Sequence, residues 1–504
     1  MSVPAESFFL DTAGDGTLQH RIKRIVITGI LSGRFRPGER MPSTRGLARH
    51  LGVSRITVAY AYTDLVADDY IVARGRSGYF VSDTAPKPQA PPSTVDAESA
   101  RALDWAHLIG APPERAATVE RPVDWQRYPY PFIYGQTDPK LFDHQNWRLC
   151  ALQALSQRDF DALTADHYDR DDPKLVEYII RQILPRRGIS ARPDTVLITL
   201  GAQNALWLTA QLLLSPSRVA AIENPGYPAL RDVLSETRCR VVPVDVDARG
   251  LPPGAIDPES HVIFTTVSHQ SPTNVTMPLD RRRALLDLAA ERGAVIVEDD
   301  YEFELSFQRA ASPALKSLDT HGCVIHIGSF SKSLFPGLRL GYLVAPEPFV
   351  QAARRLRGTV LRHPPGLIQR TAAHFLSLGH YDTQMHRMRK IYQTRRTEME
   401  AALAEHRLLA GPGLQSGGSS FWLSAPEGTD TRELAMRLRE RGVVIEPGHA
   451  FFADRTPERR FYRLAYSSIP ATRIRAGIAH IAEAMARLRS EAPRGPDARK
   501  GRLA

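Results

Sequence analysis

The sequence predicts an α/β protein in two unequal parts. A small N-terminal domain of three helices and a hairpin precedes a large body built on a mostly parallel sheet with helices on both faces. A smaller α+β lobe closes the body. Three observations carry this. A proline-rich break at 82–99 (SDTAPKPQAPPSTVDAES) divides the chain into about 80 and about 400 residues. Positive charge concentrates before the break. After it, short apolar runs alternate with helical patterns, the signature of βα units.

Composition narrows the classes. Of the 504 residues, 43% are hydrophobic and 24% charged, close to soluble globular averages, which excludes collagen, coiled coil and wholesale disorder. No apolar run approaches the ~20 residues that span a bilayer. The start, MSVPAESFFLDTAGDG, has early acids and no cationic, apolar leader, so it is not read as a secretory signal. Cys150, Cys239 and Cys323 are scattered, without a CxxC pair, as suits a reducing cytoplasm. The net charge is +10. Between Leu18 and Tyr60 nine Lys and Arg face one acid, Glu39, so that stretch alone carries +8. Arg499, Lys500 and Arg502 form a second cluster in a basic tail at 491–504.

The elements follow in order. Residues 17–31 space Leu18, Ile22, Ile25, Val26, Ile30 and Leu31 on one helical face. Gly33 and Pro37-Gly38 break it. Ser43 is a plausible N-cap for a short helix that Gly52 ends, and Ser54 caps a third helix to about Ala67. Residues 70–81 (YIVARGRSGYFV) read as two short strands around Gly75-Arg76-Ser77-Gly78. Two short helices and a hairpin form the layout of a winged helix-turn-helix, with the later helix entering the major groove. Arg45, Arg49 and Arg55 fall at or near helix starts, where phosphate is met, and Arg74 and Arg76 fall on the wing.

Residues 100–127, with Pro112-Pro113, show no period and extend the linker to 82–127. In the body, 128–490, strands are expected at 196–199, 219–222, 240–244, 262–267, 294–297 and 324–327, and helices at 203–214, 280–292, 384–405, 431–441 and 471–489. In such sheets ligands gather at the carboxyl ends of strands, where four constellations stand. Gly201-Ala202-Gln203 opens a helix whose free amides suit a phosphate. Tyr227 follows Pro225-Gly226 and is either a stacking ring or an ordinary half-buried tyrosine. Glu298, Asp299 and Asp300 close a strand, with Tyr301 after them. A carboxylate there can hold a pyridine nitrogen protonated, cap a helix or, with His269, bind metal. Finally, HIGSFSKSLFPGLRLGYLVAP sets Ser329, Ser331, Lys332 and Arg339 in one turn. A desolvated lysine beside hydroxyls and a guanidinium suits an imine to an aldehyde cofactor with a phosphate tail.

Residues 33–81 resemble the DNA-binding domain of the GntR family through Pro37-Gly38, Pro42-Ser43-x-Arg45, Leu47-Ala48, Gly52-Val53-Ser54-Arg55, Thr57-Val58 and Gly78-Tyr79-Phe80-Val81. The resemblance implies DNA contacts from Arg45, Ser54, Arg55, Thr57 and the wing residues Arg74 and Arg76. From about 128 to 490 the chain resembles fold-type I pyridoxal 5'-phosphate aminotransferases. The union of the two halves, with ENPGYP, SHQSPTN, VEDDYEFEL and GSFSKSLFPGLRLGYLVAP, resembles the MocR subfamily of regulators. That resemblance implies that Lys332 carries the cofactor, Asp299 pairs with its pyridine nitrogen, Tyr301 bonds its phenolic oxygen and Tyr227 stacks on its ring. It implies that Gly201, Ala202, Gln203, Ser329, Ser331 and Arg339 hold its phosphate and that Arg463 grips a ligand carboxylate. Departures from the family are Asp69 and Asn274 where glycine is usual, a blurred motif at Asp169–Pro173, and Ser215-Pro216-Ser217 in place of Gly-Asp.

The function implied is a cytoplasmic, head-to-tail homodimeric transcription regulator on double-stranded DNA, without a metal. It senses an amino compound, or the cofactor itself, by transaldimination at Lys332. γ-Aminobutyrate, taurine and ectoine derivatives are effector candidates. The rival is an active aminotransferase with a regulatory head; a DNA-binding scaffold with a dead enzyme domain is disfavoured because the cofactor residues stand. If the head's excess charge meets phosphate, DNA affinity falls steeply and log-linearly with salt in a titration by fluorescence anisotropy; a flat response contradicts it.

Overall fold

The computed structural model describes residues 2–10, 16–86, 104–109, 119–305, 312–409, 418–453 and 459–491. Most of the proline-rich stretch and the basic tail therefore lie outside the described residues. The chain divides into two compact units, Met1–Pro112 and Pro113–Ala504.

In the first unit, α1 (Leu18–Leu31), α2 (Thr44–Leu51) and α3 (Arg55–Ala67) precede the hairpin β1 (Ile71–Ala73) and β2 (Tyr79–Val81). Each helix begins at a hydroxyl that accepts from an amide of its first turn: Thr17, Ser43 and Ser54. α2 ends on Gly52 in the left-handed region. Ile22 and Val26 of α1, Leu47 of α2, Val58 and Leu65 of α3, and Ile71 and Val81 of the hairpin make one core. Val3 and Phe8 join it, so the first residues pack rather than trail.

The second unit is built on seven strands: β4 (Val196–Thr199), β5 (Val219–Asn224), β6 (Arg240–Asp245), β7 (Val262–Thr265), β8 (Val295–Asp299), β9 (Val324–Ser329) and β10 (Gly341–Val344). Their order is β4-β10-β9-β8-β7-β5-β6. All neighbours are parallel except at β10, which runs against both β4 and β9. β10 is the strand the sequence reading did not separate from the lysine motif before it. Its four residues are all buried, as are those of β4, β5, β7 and β9, which is why these runs carry no polar alternation. Helix Ala202–Leu213 covers one face and Leu279–Arg292 the other. In the smaller lobe β11 (Ser420–Ser424), β14 (Phe461–Ala465) and β13 (Glu446–Pro447) form an antiparallel sheet with helices His380–Glu405, Thr431–Arg439 and Ala471–Glu491. β12 (Val443–Val444) pairs with β3 (Tyr130–Pro131), tying the start of the unit to this lobe.

Three of the sequence departures have local explanations. Asp69 and Asn274 both sit at positive φ, 58° and 60°, a region that Asn and Asp enter more readily than other side chains. Asn274 also donates its amide to the carbonyl (2.6 Å) and hydroxyl (3.1 Å) of Ser420. In the blurred motif, Asp171 accepts from Arg354, Arg357 and the Ile198 amide, while Asp172 caps helix Pro173–Tyr178. Asn274→Ala adds left-handed strain of ~1–2 kcal/mol and orphans the Ser420 carbonyl. A calorimetric melt should show it less stable by ~2–4 kcal/mol, and Asn274→Gly, free of the strain, should lose less.

Candidate functional site

Three consecutive acids close β8, and strand alternation sends them different ways. Glu298 accepts from His326 Nδ1 (2.9 Å) and from the amides of Leu315 (2.6 Å) and Lys316 (3.0 Å), so it caps a short helix from beneath the sheet. Asp300 pairs with Arg187 at 2.7 Å, both almost fully buried. Asp299 alone faces the cavity at the strand ends, and its buried Oδ1 has no hydrogen-bond partner. Burial, and then the charge of Asp300, push its carboxyl up to about 7.

Lys332 lies in the turn after β9. Its Nζ is 4.3 Å from the Tyr134 ring centroid. Burial brings the amine down to about 8, with Arg121 and Arg463 pushing the same way and Glu302 opposing. Glu302 is itself buried and accepts from Tyr134 Oη (3.1 Å) and Ser419 Oγ (2.5 Å), which fixes the ring beside the lysine. Gly135 lines the same spot at φ 80°, and a Cβ there would stand 2.5 Å from Lys332 Nζ.

Across the cavity, Gly201 at φ 83° caps the helix that begins with Ala202 and Gln203. A Cβ on Gly201 would stand 3.3 Å from Arg339 Nη2, which donates to the Leu200 carbonyl at 3.0 Å. Arg339 is held at φ 52°. The Ser331 amide donates to Ser329 Oγ at 3.2 Å. Helix amides, two serine hydroxyls and a guanidinium therefore surround one corner, the donor set of an anion cradle. Tyr227 Oη donates to Gln203 Oε1 (3.0 Å) and Tyr301 Oη to the His269 carbonyl (2.8 Å). Arg463, on β14, pairs with buried Glu446 at 2.7 Å.

Every body residue that the resemblance assigns to the cofactor or the ligand, except Gly201, lines one cavity of about 430 Å³, whereas Glu298, Asp300 and His269 do not. Gly201 stands just behind it, against Arg339. Tyr134, Gly135, Arg121, Thr266, Ser271 and Phe451 also line it and were not foreseen. None of them follows directly on a foreseen strand end in a charged or glycine-flanked motif. Tyr134-Gly135, in YGQTD, was the nearest to a signal. The described residues hold no group of three or more His, Cys, Asp and Glu placed to ligate a metal.

In the first unit Arg45, Ser54 and Arg55 are exposed and Thr57 half-buried. Ser54 and Thr57 are partly occupied with one another, since Ser54 Oγ meets both the amide (3.2 Å) and hydroxyl (3.1 Å) of Thr57. Arg49 is corrected: it falls in the last turn of α2, away from the amide-rich end. Arg74 stacks on Phe80 at 4.9 Å and pairs with Asp83 at 3.6 Å. Arg76 lies in the turn between the wing strands, and its side chain is outside the description. Ile56 and Tyr60, one turn apart on α3, are 65% and 59% exposed. They offer apolar contact beside Arg55, as thymine methyl groups require.

Comparisons with known proteins fit both units. Residues 18–81 match the gntR family of bacterial regulatory proteins and residues 147–481 the aminotransferase class I and II family. The chain is 59% identical over 493 residues to the HTH-type transcriptional regulator TauR of Rhodobacter capsulatus, covering 96% of this chain and 100% of that one. It is 28% identical over 496 residues to the probable rhizopine catabolism regulatory protein MocR of Rhizobium meliloti, covering 95% and 96%. The body superposes on kynurenine aminotransferase of Pyrococcus horikoshii with a TM-score of 0.66 at 26% identity, covering 73% of this chain and 95% of that one.

The lysine environment has a direct consequence. An amine brought down to about 8 is largely neutral above that pH and protonated below it. In ligand-free protein, labelling of Lys332 by an amine-reactive reagent, followed by peptide mass spectrometry, should rise with pH and level off around a midpoint near 8. Ordinary lysines, at ~10.4, keep rising; a Lys332 midpoint near theirs contradicts the environment described.

Proposed function

The chain belongs to the MocR subfamily of GntR-type transcriptional regulators, a DNA-binding head joined to an aminotransferase class I and II body, and on that premise we propose that its body is a pyridoxal 5'-phosphate-dependent sensor of amino compounds. The observation that carries the reading is the unpartnered, buried Oδ1 of Asp299 facing the same cavity as the amine of Lys332. A buried polar atom without a partner is costly unless a ligand supplies one.

The residues present fit the cofactor. Asp299 would face its ring nitrogen, and a carboxyl poised at about 7 is readily ionised by a neighbouring pyridinium. Tyr227 would lie against the ring and Tyr301 would donate to its phenolic oxygen. Gly201, Ala202, Gln203, Ser329, Ser331 and Arg339 would take the phosphate, whose two charges suit helix amides and a guanidinium. When bound, the cofactor supplies an aldehyde that condenses reversibly with primary amines. Lys332, with its lowered pKa, is the resident amine; Arg463 would receive an effector's acid. Gly135 leaves room beside the lysine, and Glu302 with Tyr134 orients it.

Release of Lys332 by an effector amine would then change which arrangement of the protein is favoured. An effector acts only through its different affinity for the arrangements. Arg45, Ser54, Arg55, Thr57, Arg74 and Arg76 are the proposed DNA contacts, on a double-stranded operator. No described helix is long and apolar enough to cross a membrane, and we place this DNA-binding protein in the cytoplasm, working as a homodimer. The domain limits proposed are 1–81, 82–127, 128–490 and 491–504. A second reading, an active aminotransferase, is favoured by one observation: an amine near pH 8 is also fit to carry protons.

Lys332→Ala decides the sensor reading. The variant should lose the near-visible absorbance of lysine-bound cofactor, and its DNA affinity should no longer respond to amines. Retention of an amine-dependent DNA response overturns the reading. Rapid release of an oxo product by the wild-type protein favours the enzyme.

A further inference from the structure

Glu223, the last residue but one of β5, is a buried acid. Its Oε1 accepts from Thr265 Oγ1 at 2.7 Å and from the Thr266 amide at 3.1 Å. Its Oε2 accepts from Thr266 Oγ1 at 2.6 Å and from Gln270 Nε2 at 3.1 Å. All four partners are uncharged. Four donors fill the lone-pair sites of an ionised carboxylate, and hydrogen bonds to the charged form favour it. Burial raises the carboxyl above its usual range, and these four bonds oppose the rise.

The same bonds fix walls of the large cavity. Thr266 Oγ1 also accepts from the Ser271 amide at 3.0 Å. Gln270 Nε2 lies 2.8 Å from both the Pro225 and the Ser271 carbonyls. Thr266, Ser271 and Tyr227 all line that cavity. A Cβ on Gly226 would stand 2.3 Å from the Glu223 carbonyl oxygen, so the chain turns tightly from the acid to Tyr227. Glu223 and Asp299 also line a second, small chamber of about 20 Å³, with Thr265 and Thr266 between them in the wall. Such a space holds about one water, so little solvent screens one acid from the other. Burial comes first among the causes that raise the Asp299 carboxyl to about 7; Asp300 and Glu223 add to it, while His326 and Lys332 oppose. Tyr227 and Tyr301, both raised by burial, also face Asp299 and stay neutral.

We propose that Glu223 is a positioning residue of the cofactor site, an ionised carboxylate behind Asp299 that favours a proton on the ring nitrogen Asp299 would face. This rests on the cofactor reading above. The two acids then have unequal tasks. Asp299 makes the contact, and Glu223 acts through the chamber, adding negative potential where little water weakens it. Through Thr266 and Gln270 it also holds the segments that carry Ser271 and Tyr227. Without cofactor, the same potential falls on Asp299 itself and favours its proton.

The test uses full-length protein, with and without pyridoxal 5'-phosphate. In the loaded protein, the near-visible band is titrated with pH. Glu223→Gln keeps the shape and removes the charge, so the midpoint should fall by about one unit, a roughly tenfold loss of proton affinity. Glu223→Asp keeps the charge and should stay within about 0.3 unit of wild type, even where its melting temperature drops. In cofactor-free protein, the Asp299 carboxyl, followed by infrared difference against Asp299→Asn, should titrate below its wild-type midpoint near 7 in Glu223→Gln. Where Glu223→Gln does not fold, Thr265→Val decides: with one donor fewer, Glu223 holds its charge less well, and both midpoints should move the same way by a smaller amount. Unchanged midpoints overturn the proposal. Equal shifts in Glu223→Gln and Glu223→Asp assign Glu223 a merely structural part and overturn it too. A wild-type protein that never acquires the near-visible band instead overturns the cofactor reading, and the cofactor-free titration still decides the part of Glu223.

Discussion

The site depends on one register. β8 and β9 pair in parallel with Glu298 opposite His326 and Asp299 opposite Ile327. That pairing ends both strands at the same edge, so the acid run of one and the lysine turn of the other open into one cavity. Alternation then makes Asp299 the only member of its run to face that cavity. Its neighbours anchor it from the other side: Glu298 through His326 and two helix amides, Asp300 through Arg187, which also reaches Ser268 and the Ser312 carbonyl. Removing one partner of a buried pair such as Arg187–Asp300 typically costs ~3–5 kcal/mol, because the other charge is stranded. A shift of one residue along β8 would bring one of the anchored acids to the position of Asp299 and turn Asp299 to the opposite face. The three acids thus act as a register lock as well as a source of one free carboxyl.

The same economy governs the positive groups. Lys332 is held near neutrality by burial, and the guanidiniums beyond it push further in that direction while Glu302 resists. Glu446, paired with both Arg121 and Arg463, takes up one of the two guanidinium charges. Tyr134 connects these groups: its amide meets Glu446, its hydroxyl meets Glu302, and its ring faces both Lys332 and Arg463. A single side chain from an unremarkable loop therefore couples the reactive end of the cavity to the recognising end.

Tyr134 and Arg121 are also where the sequence was least legible. Residues at strand ends announce themselves, because a buried apolar run followed by glycine, hydroxyls and charge has few other readings. Lys332, Asp299 and Gly201 were visible for that reason, and so was the parallel sheet. Tyr134, Arg121 and Glu446 act through contacts hundreds of residues apart, which no local period encodes. β10 was hidden because its antiparallel course follows the lysine motif with only a single helical turn, Pro336–Leu338, between them. Asn274 and Asp69 looked like lost glycines, yet their positive φ preserves the backbone while Asn274 adds bonds a glycine lacks.

The chain's +10 excess is thus divided between two physical regimes. In the head, Arg45 and Arg55 stand in water, where attraction is screened beyond about 8 Å at physiological salt. Such groups set how often and how strongly a polyanion is met, and their effect is graded. In the body, Arg463 and Lys332 are withdrawn from solvent and balanced nearly one for one by Glu446 and Glu302. There a single added anion or a displaced amine changes the balance sharply, because little water or salt is present to compensate.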